Sequence, residues 1–195
     1  MTDVALPTLV YLIHGQGGKA TSLGIDWMAA EINKIKGTRV KVFDWGDWQS
    51  IVRDIYTKPV KSHIILIGYS LGANATEWIQ QVLKTGSLQG NHIVSKLVPG
   101  YSIGLLVAMD PSIWTVSVPL LSNVRHALLF HNVNPVNVVG HADLVAGTGF
   151  NPSNLRVVTT WDLHWSPIPG TDVDTDPYNR QIVIAAVKAE LENKQ

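Results

Sequence analysis

Ser70 sits in the run Gly68-Tyr69-Ser70-Leu71-Gly72, and the glycines two places to either side make its hydroxyl a candidate nucleophile. A serine pushed clear of a sheet on a sharp turn draws the following helix close to the strand it leaves, and only small residues at those two places avoid a clash. Ala73 keeps the next position small as well. A hydroxyl is a poor nucleophile near neutral pH until a base within hydrogen-bond reach takes its proton, and a carboxylate must hold that base in the right tautomer. Cysteine is absent, which excludes thiolate nucleophiles, disulfides and Cys-based metal sites. The chemistry therefore turns on which of the seven histidines, and which acid, meet Ser70.

The elements that must position these groups are legible as alternating patterns. Ile64 to Ile67, rich in β-branched residues and bounded by Gly68, reads as a central parallel strand covered on both faces. Thr8 to His14 reads as a first strand ending in His14-Gly15-Gln16-Gly17-Gly18. A helix from Leu23 to Lys36 follows, with Leu23, Trp27, Met28, Ile32 and Ile35 at helical spacing and Gly37 as its stop. Thr38 to Phe43 is a second strand leading to Asp44-Trp45-Gly46-Asp47-Trp48, and Ile51, Val52, Ile55 and Tyr56 mark a short helix before Pro59. The helix after Ser70 carries Trp78, Ile79, Val82 and Leu83 on one face until Gly86. Ile103 to Met109 is a fourth strand stopped by Asp110-Pro111, Val124 to Phe130 a fifth ending at His131 and Asn132, and Leu155 to Trp161 a sixth ahead of His164. Asp176 is an N-cap and Pro177 the first residue of a last helix, with Ile182, Ala185, Ala186 and Ala189 on one face. This alternation predicts the α/β class: three layers, a doubly wound and mostly parallel sheet of about six strands, and one domain over residues 1–195.

Such sheets place their sites at the carboxyl ends of the strands, which selects His14 to Gly18, Asp44 to Trp48, Ser70, Asp110, the loop after His131, and His164. His164 alone joins the end of the last strand to a following loop and helix, and is the expected base. His14, His63, His92 and His126 read as packing or surface residues. His131, His141 and Asp143 lie near the same edge, but their spacing matches no strong ligand signature, so no metal is expected. Asp110, on a turn fixed by Pro111, is the expected acid; Asp143, far out on a glycine-rich loop, is the alternative.

The order serine, acid, then a histidine shortly before a final helix is that of the α/β hydrolases, and the chain resembles a small member of that group over nearly its whole length. The chain length and Gly-Tyr-Ser at the turn are similar to cutinases, while Ala108-Met109-Asp110-Pro111-Ser112 resembles the acid-bearing turn of pancreatic-type lipases. The chain departs from cutinases in lacking their disulfides, and from larger hydrolases in lacking two N-terminal antiparallel strands and a cap domain. The resemblance implies a minimal α/β-hydrolase fold with Ser70, His164 and Asp110 as a triad. It also implies His14 to Gly18 as the oxyanion loop, with the backbone amides of Gln16 and Leu71 forming the oxyanion hole. The implied activity is that of a serine esterase or lipase, cleaving a small-molecule carboxylic ester through an acyl-enzyme without a cofactor. Trp45, Trp48, Trp114, Trp161 and Trp165 fall just past strand ends on the side of Ser70, and Trp45, Trp114 and Trp165 are the expected substrate-binding residues.

Two other readings compete. Gly15, Gly17 and Ala20 fit the dinucleotide fingerprint G-x-G-x-x-A, with Asp44 as a ribose-binding acid, which would make a nicotinamide-dependent oxidoreductase but leave Ser70, Asp110 and His164 unexplained. A hydrolase fold kept only as a silent binding protein is the second. Asp172, Asp174 and Asp176 start like a calcium loop, but Pro177 stands at the required glycine, so a solvated acidic turn is expected. Gly18-Lys19 is followed by Ala20 rather than Ser or Thr, which excludes a P-loop. With 46% hydrophobic and 15% charged residues and a formal net charge of zero, the composition argues against a broad electrostatic footprint for nucleic acid or an anionic membrane. The apolar run Leu9 to Ile13 is too short for a signal h-region or a membrane span, so a soluble, cytoplasmic chain is expected.

Overall fold

Three strands with every residue buried, Thr8–His14 (β1), Ile64–Tyr69 (β3) and Ile103–Met109 (β6), lie side by side at the centre of a computed structural model of the chain. Thr38–Asp44 (β2) pairs outside β1, while Val124–Asn132 (β7) and Leu155–Thr160 (β8) extend the sheet beyond β6. All five pairings are parallel, in the order β2-β1-β3-β6-β7-β8. Ser87–Leu88 (β4) and Asn91–His92 (β5) form a separate antiparallel ribbon that the sequence patterns do not announce. The structure describes residues 6–88, 91–92, 100–115, 117–137, 140, 142–166 and 168–193. His141 lies outside them.

The pleat of the buried strands feeds two cores. Tyr11 and Ile13 of β1, Leu66 of β3 and Leu106 of β6 point to one face, covered by helices Trp48–Tyr56 (α2) and Leu71–Thr85 (α3). Val10, Leu12, Ile67 and Val107 point to the other, covered by Leu23–Ile32 (α1) and Pro177–Glu192 (α4). Strands buried on both sides can be continuously apolar, which is why these three carry runs rather than alternation. The result is the expected three-layer, doubly wound α/β sheet of six strands. Among the described residues no helix is long and apolar enough to cross a membrane.

Two helices differ from expectation. α1 ends at Ile32, and Asn33 to Gly37 make turns, with Thr38 Oγ1 donating to the carbonyls of Ile32 and Ile35 and so satisfying the last turn early. In α4 the buried stripe is Asn179, Val183, Val187 and Glu190, whereas Ala185 and Ala189 face solvent. Alanine serves on either face of a helix, so it misdirects a stripe read from apolar residues alone. Asp176 caps α4 as expected, its Oδ1 accepting from the Asn179 amide at 2.9 Å.

Candidate active site

Ser70 occupies the corner between β3 and α3 with φ 54° and ψ −124°, a conformation that a side chain rarely adopts. The corner is tight because the helix doubles back over the strand: a Cβ on Gly68 would run into the Gly72 carbonyl, and one on Gly72 into the carbonyls of Ile13 and His14. The Ser70 amide donates to the Met109 carbonyl at 2.9 Å, continuing the β3–β6 ladder and setting Ser70 beside the end of β6. There Asp110, fully buried and also at positive φ (48°), follows the last residue of β6.

His164 closes the gap between them. Its Nε2 lies 2.9 Å from Ser70 Oγ and its Nδ1 2.7 Å from Asp110 Oδ2. Three residues, Asn132, Asn137 and Gly140, shape the surroundings of Asp110 and His164. The Asn132 amide at the end of β7 donates to Asp110 Oδ2 at 2.9 Å and to the Asp162 carbonyl at 3.0 Å. Asn137 Oδ1 accepts from the His164 amide at 2.8 Å. Gly140 lies so close to Asp110 that any side chain there would strike its carboxyl. Asp143, the alternative acid, is drawn elsewhere, its Oδ1 lying 2.8 Å from His131 Nδ1. Among the described residues no cluster of His, Asp or Glu is arranged to hold a metal.

Facing Ser70 across the site is the loop after β1. Its Gly15 amide donates to Ser22 Oγ at 3.0 Å, and the Gln16 carbonyl accepts from Thr21 Oγ1, which together fix the peptide carrying the Gln16 amide. Leu71 opens α3, where the first amides have no intrahelical acceptor. His14 is a support: buried, it sets Nδ1 3.0 Å from Asp44 Oδ1 at the end of β2.

The six-stranded parallel sheet and the helices on its two faces have known counterparts. Acyl-protein thioesterase 2 of Zea mays superposes with a TM-score of 0.54 over 98% of this chain and 96% of its own, at 13% identity. A protein of Xanthomonas campestris pv. campestris, described as a hydrolase of the α/β superfamily, gives 0.55 over 95% and 99%, at 14% identity. The fold is that of the α/β hydrolases. The ydeN gene product of B. subtilis shares it, at a TM-score of 0.53, 11% identity and 95% and 99% coverage. No family model and no curated protein matches the chain.

Within this α/β-hydrolase fold, a cavity of about 400 Å³ opens above the serine. Gly15, Gln16, Gly17 and Thr21 line one side and Trp114 and Trp165 the other, with Tyr69, Ser70 and His164 at the floor. Trp114 is 64% exposed and Trp165 55%, so both rings stand at the mouth. Trp45 does not belong here. Its ring packs edge-on against Trp78 at 6.4 Å, and Trp48 does the same from the other side at 5.9 Å, so these two close the core beside α3. Trp161 is exposed and lines no part of the cavity.

The dinucleotide reading of the first loop finds no support in this geometry. Gly18–Ala20 form a 3₁₀ turn, α1 starts only at Leu23, and Asp44, the would-be ribose partner, is engaged by His14 and packs against Gly18. A pyrophosphate needs the glycines to open directly onto the helix N-terminus.

Several supporting residues carry no sequence motif. On α3, Asn74 exchanges two hydrogen bonds with the backbone of Ser112, at 3.0 and 3.2 Å. Glu77 Oε2 accepts from the Val118 amide at 2.7 Å, and Gln80 bonds the Pro119 carbonyl and the Leu121 amide. These three buried side chains, one turn apart, splint the irregular segment that carries Trp114. The polar spacing Asn74, Glu77, Gln80 on a helix with a fully buried neighbourhood is the signal that could have found them. The spacing of Asn132, Asn134 and Asn137 after β7 is the corresponding signal for the acid's partners.

Proposed function

We propose that the chain is a serine hydrolase that cleaves carboxylic esters through an acyl-enzyme on Ser70. The observation that carries this is the continuous hydrogen-bond line from Asp110 through His164 to Ser70, set in a hydrolase fold at the floor of an open cavity. In this reading, Nε2 of His164 takes the Ser70 proton as Oγ adds to the ester carbonyl, and Asp110 holds the imidazole by Nδ1 and stabilises its charged form. The negative charge that develops on the carbonyl oxygen is received by the amides of Gln16 and Leu71. His164 then gives its proton to the departing alcohol, and water repeats the sequence in reverse to free the acid.

The cavity adds a preference. Among the described residues its lining holds no lysine, arginine, aspartate or glutamate, so an uncharged acyl group between Trp114 and Trp165 fits it best. Thioesters are open to the same chemistry, and the likeness in fold to an acyl-protein thioesterase makes them worth assaying alongside.

A fluorophosphonate probe tests the nucleophile without knowledge of the substrate: the adduct should map to Ser70. Ser70→Ala should lower turnover of soluble short-chain p-nitrophenyl esters by roughly 10⁴-fold or more with the fold intact. A label on another residue, or unchanged turnover, would overturn the assignment and leave the silent binding protein as the better reading. Trp114→Ala should raise KM by roughly 5- to 150-fold, the about 1–3 kcal/mol that an apolar pocket contact supplies, with kcat little changed.

A further inference from the structure

Buried acids outside the Ser70 site do different jobs. Asp172 and Asp174, expected from the sequence in a solvated turn, are buried and accept from the backbone amides of Ser166, Thr175 and Ile25. Glu190, near the end of α4, is also buried but gathers side chains instead. Its Oε1 lies 2.8 Å from His63 Nε2 and 3.5 Å from Arg125 Nη1, and its Oε2 lies 2.8 Å from His126 Nδ1. Gly104 leaves room for this, since a Cβ there would strike both His63 and the Glu190 carboxyl. Both oxygens of Glu190 are therefore occupied, and His126 is held by Nδ1 with its other nitrogen uncommitted among the described residues.

His126 and Glu190 line a cavity of about 430 Å³. It opens where β7 and β8 begin and α4 ends, at the edge of the parallel sheet opposite Ser70. Leu105 and Leu128, both buried, give it an apolar floor. The wall that α4 presents is low, because Ala186 and Ala189 stand where longer side chains would fill the groove. Arg156 lines the β8 side, in register with Leu128 and so on the same face of the sheet. It is exposed, and among the described residues it makes no ion pair. Glu190 is offset by Arg125 and is the only acid among the described lining residues, so the groove combines one uncompensated guanidinium with an apolar floor.

A guanidinium takes a carboxylate through two parallel N–H···O bonds, and a single uncompensated positive charge is matched by a monoanion. We propose that this groove is a second ligand site, which takes an aliphatic carboxylate with its head on Arg156 and its chain along Leu105, Leu128, Ala186 and Ala189. The site is separate from Ser70 and does not depend on the serine hydrolase reading above. Head and chain are both needed. An exposed guanidinium alone holds a carboxylate weakly in water, whereas each methylene group taken out of water tightens binding about fourfold.

Octanoate is the probe, followed by calorimetry and by amide chemical shifts. It should bind with a Kd on the order of 0.1–1 mM and shift the resonances of His126, Leu128, Arg156 and Ala189. Butyrate, four methylene groups shorter, should bind at least roughly tenfold more weakly. Arg156→Gln should weaken octanoate about tenfold at these resonances, and Ala189→Phe, which fills the groove and keeps the guanidinium, should abolish the shifts. Arg156 and Ala189 are both exposed, so neither substitution disturbs the core. Shifts confined to Gly15, Gly17 and His164 would place octanoate above Ser70 and overturn the proposal. Octanol binding as tightly as octanoate, or octanoate binding unchanged in R156Q, would show a groove that reads no head group, and inorganic phosphate binding as tightly as octanoate would show one that reads no chain; each of these also overturns it.

Discussion

Asn132 illustrates how much a single uncharged side chain carries in this site. Its amide nitrogen donates both to Asp110 Oδ2, the oxygen that also receives His164, and to the Asp162 carbonyl next to the histidine loop. Asn132→Ala should leave buried Asp110 short of a donor and cost about 1.5–3 kcal/mol of transition-state stabilisation, which steady-state kinetics would read as a roughly 10- to 150-fold drop in kcat/KM. A change of less than twofold would show that Asp110 does not need it. The meeting of Ser70, Asp110 and His164 at one sheet edge could be foreseen because Ser70 and Asp110 stand at the ends of apolar runs and His164 lies shortly past the last strand. The parts of Asn132 and Asn137 could not, because an amide that orients a carboxylate looks in sequence like one that caps a turn. Trp45 failed for a related reason: a ring that seals the core against Trp78 and a ring that lines a cavity are the same letter at the same kind of strand end.

At the scale of elements, α3 does two jobs. Its first turn presents the serine, and its buried face of Asn74, Glu77 and Gln80 hydrogen-bonds the backbone at Ser112, Val118 and Leu121. Glu77 is the telling member. It is fully buried with Oε1 unpartnered, and burial pushes its carboxyl up to about 8. Because that value lies above the ordinary 4.5, the stability linked to Glu77 is fully present below about pH 4.5 and is lost as pH climbs through about 8. Glu77→Gln should keep the bond to the Val118 amide and flatten this part of the Tm-against-pH curve. Glu77→Ala should destabilise by about 1–3 kcal/mol, the cost of a buried amide left without an acceptor. Identical Tm-against-pH curves for wild type and Glu77→Gln would count against it. The six strands of the parallel sheet and the helices α2 and α3 were readable from the sequence pattern. The inner face of α4 was not, since its ends are held by Asn179 and Glu190, the latter through His63 and His126 at 2.8 Å each, rather than by apolar contact.

Across the whole molecule, the sheet assembles the site from distant stretches of chain. β3, β6 and the segment after β8 deliver positions 70, 110 and 164 to one edge, and the alternation of strand and helix was enough to foresee that edge. What it could not foresee was which loops would be pinned, because pinning depends on buried polar partners that leave no period. The backbone at the edge has a further property: both Ser70 and Asp110 sit at positive φ, where a side chain costs about 1–3 kcal/mol. Ser70→Gly should recover part of that strain, less the roughly 0.5–1 kcal/mol of extra freedom that glycine has when unfolded. Its melting temperature should therefore exceed that of Ser70→Ala by about 2–4 °C in a chain of this size, and equal values would argue that the corner is unstrained. The sturdiest version of this chain is thus one without Ser70, the proposed nucleophile. Descendants under selection for heat resistance alone would drift toward inert, glycine-cornered forms, and a Gly-x-Gly-x-Gly turn in a relative would record a lost trade rather than a neutral change.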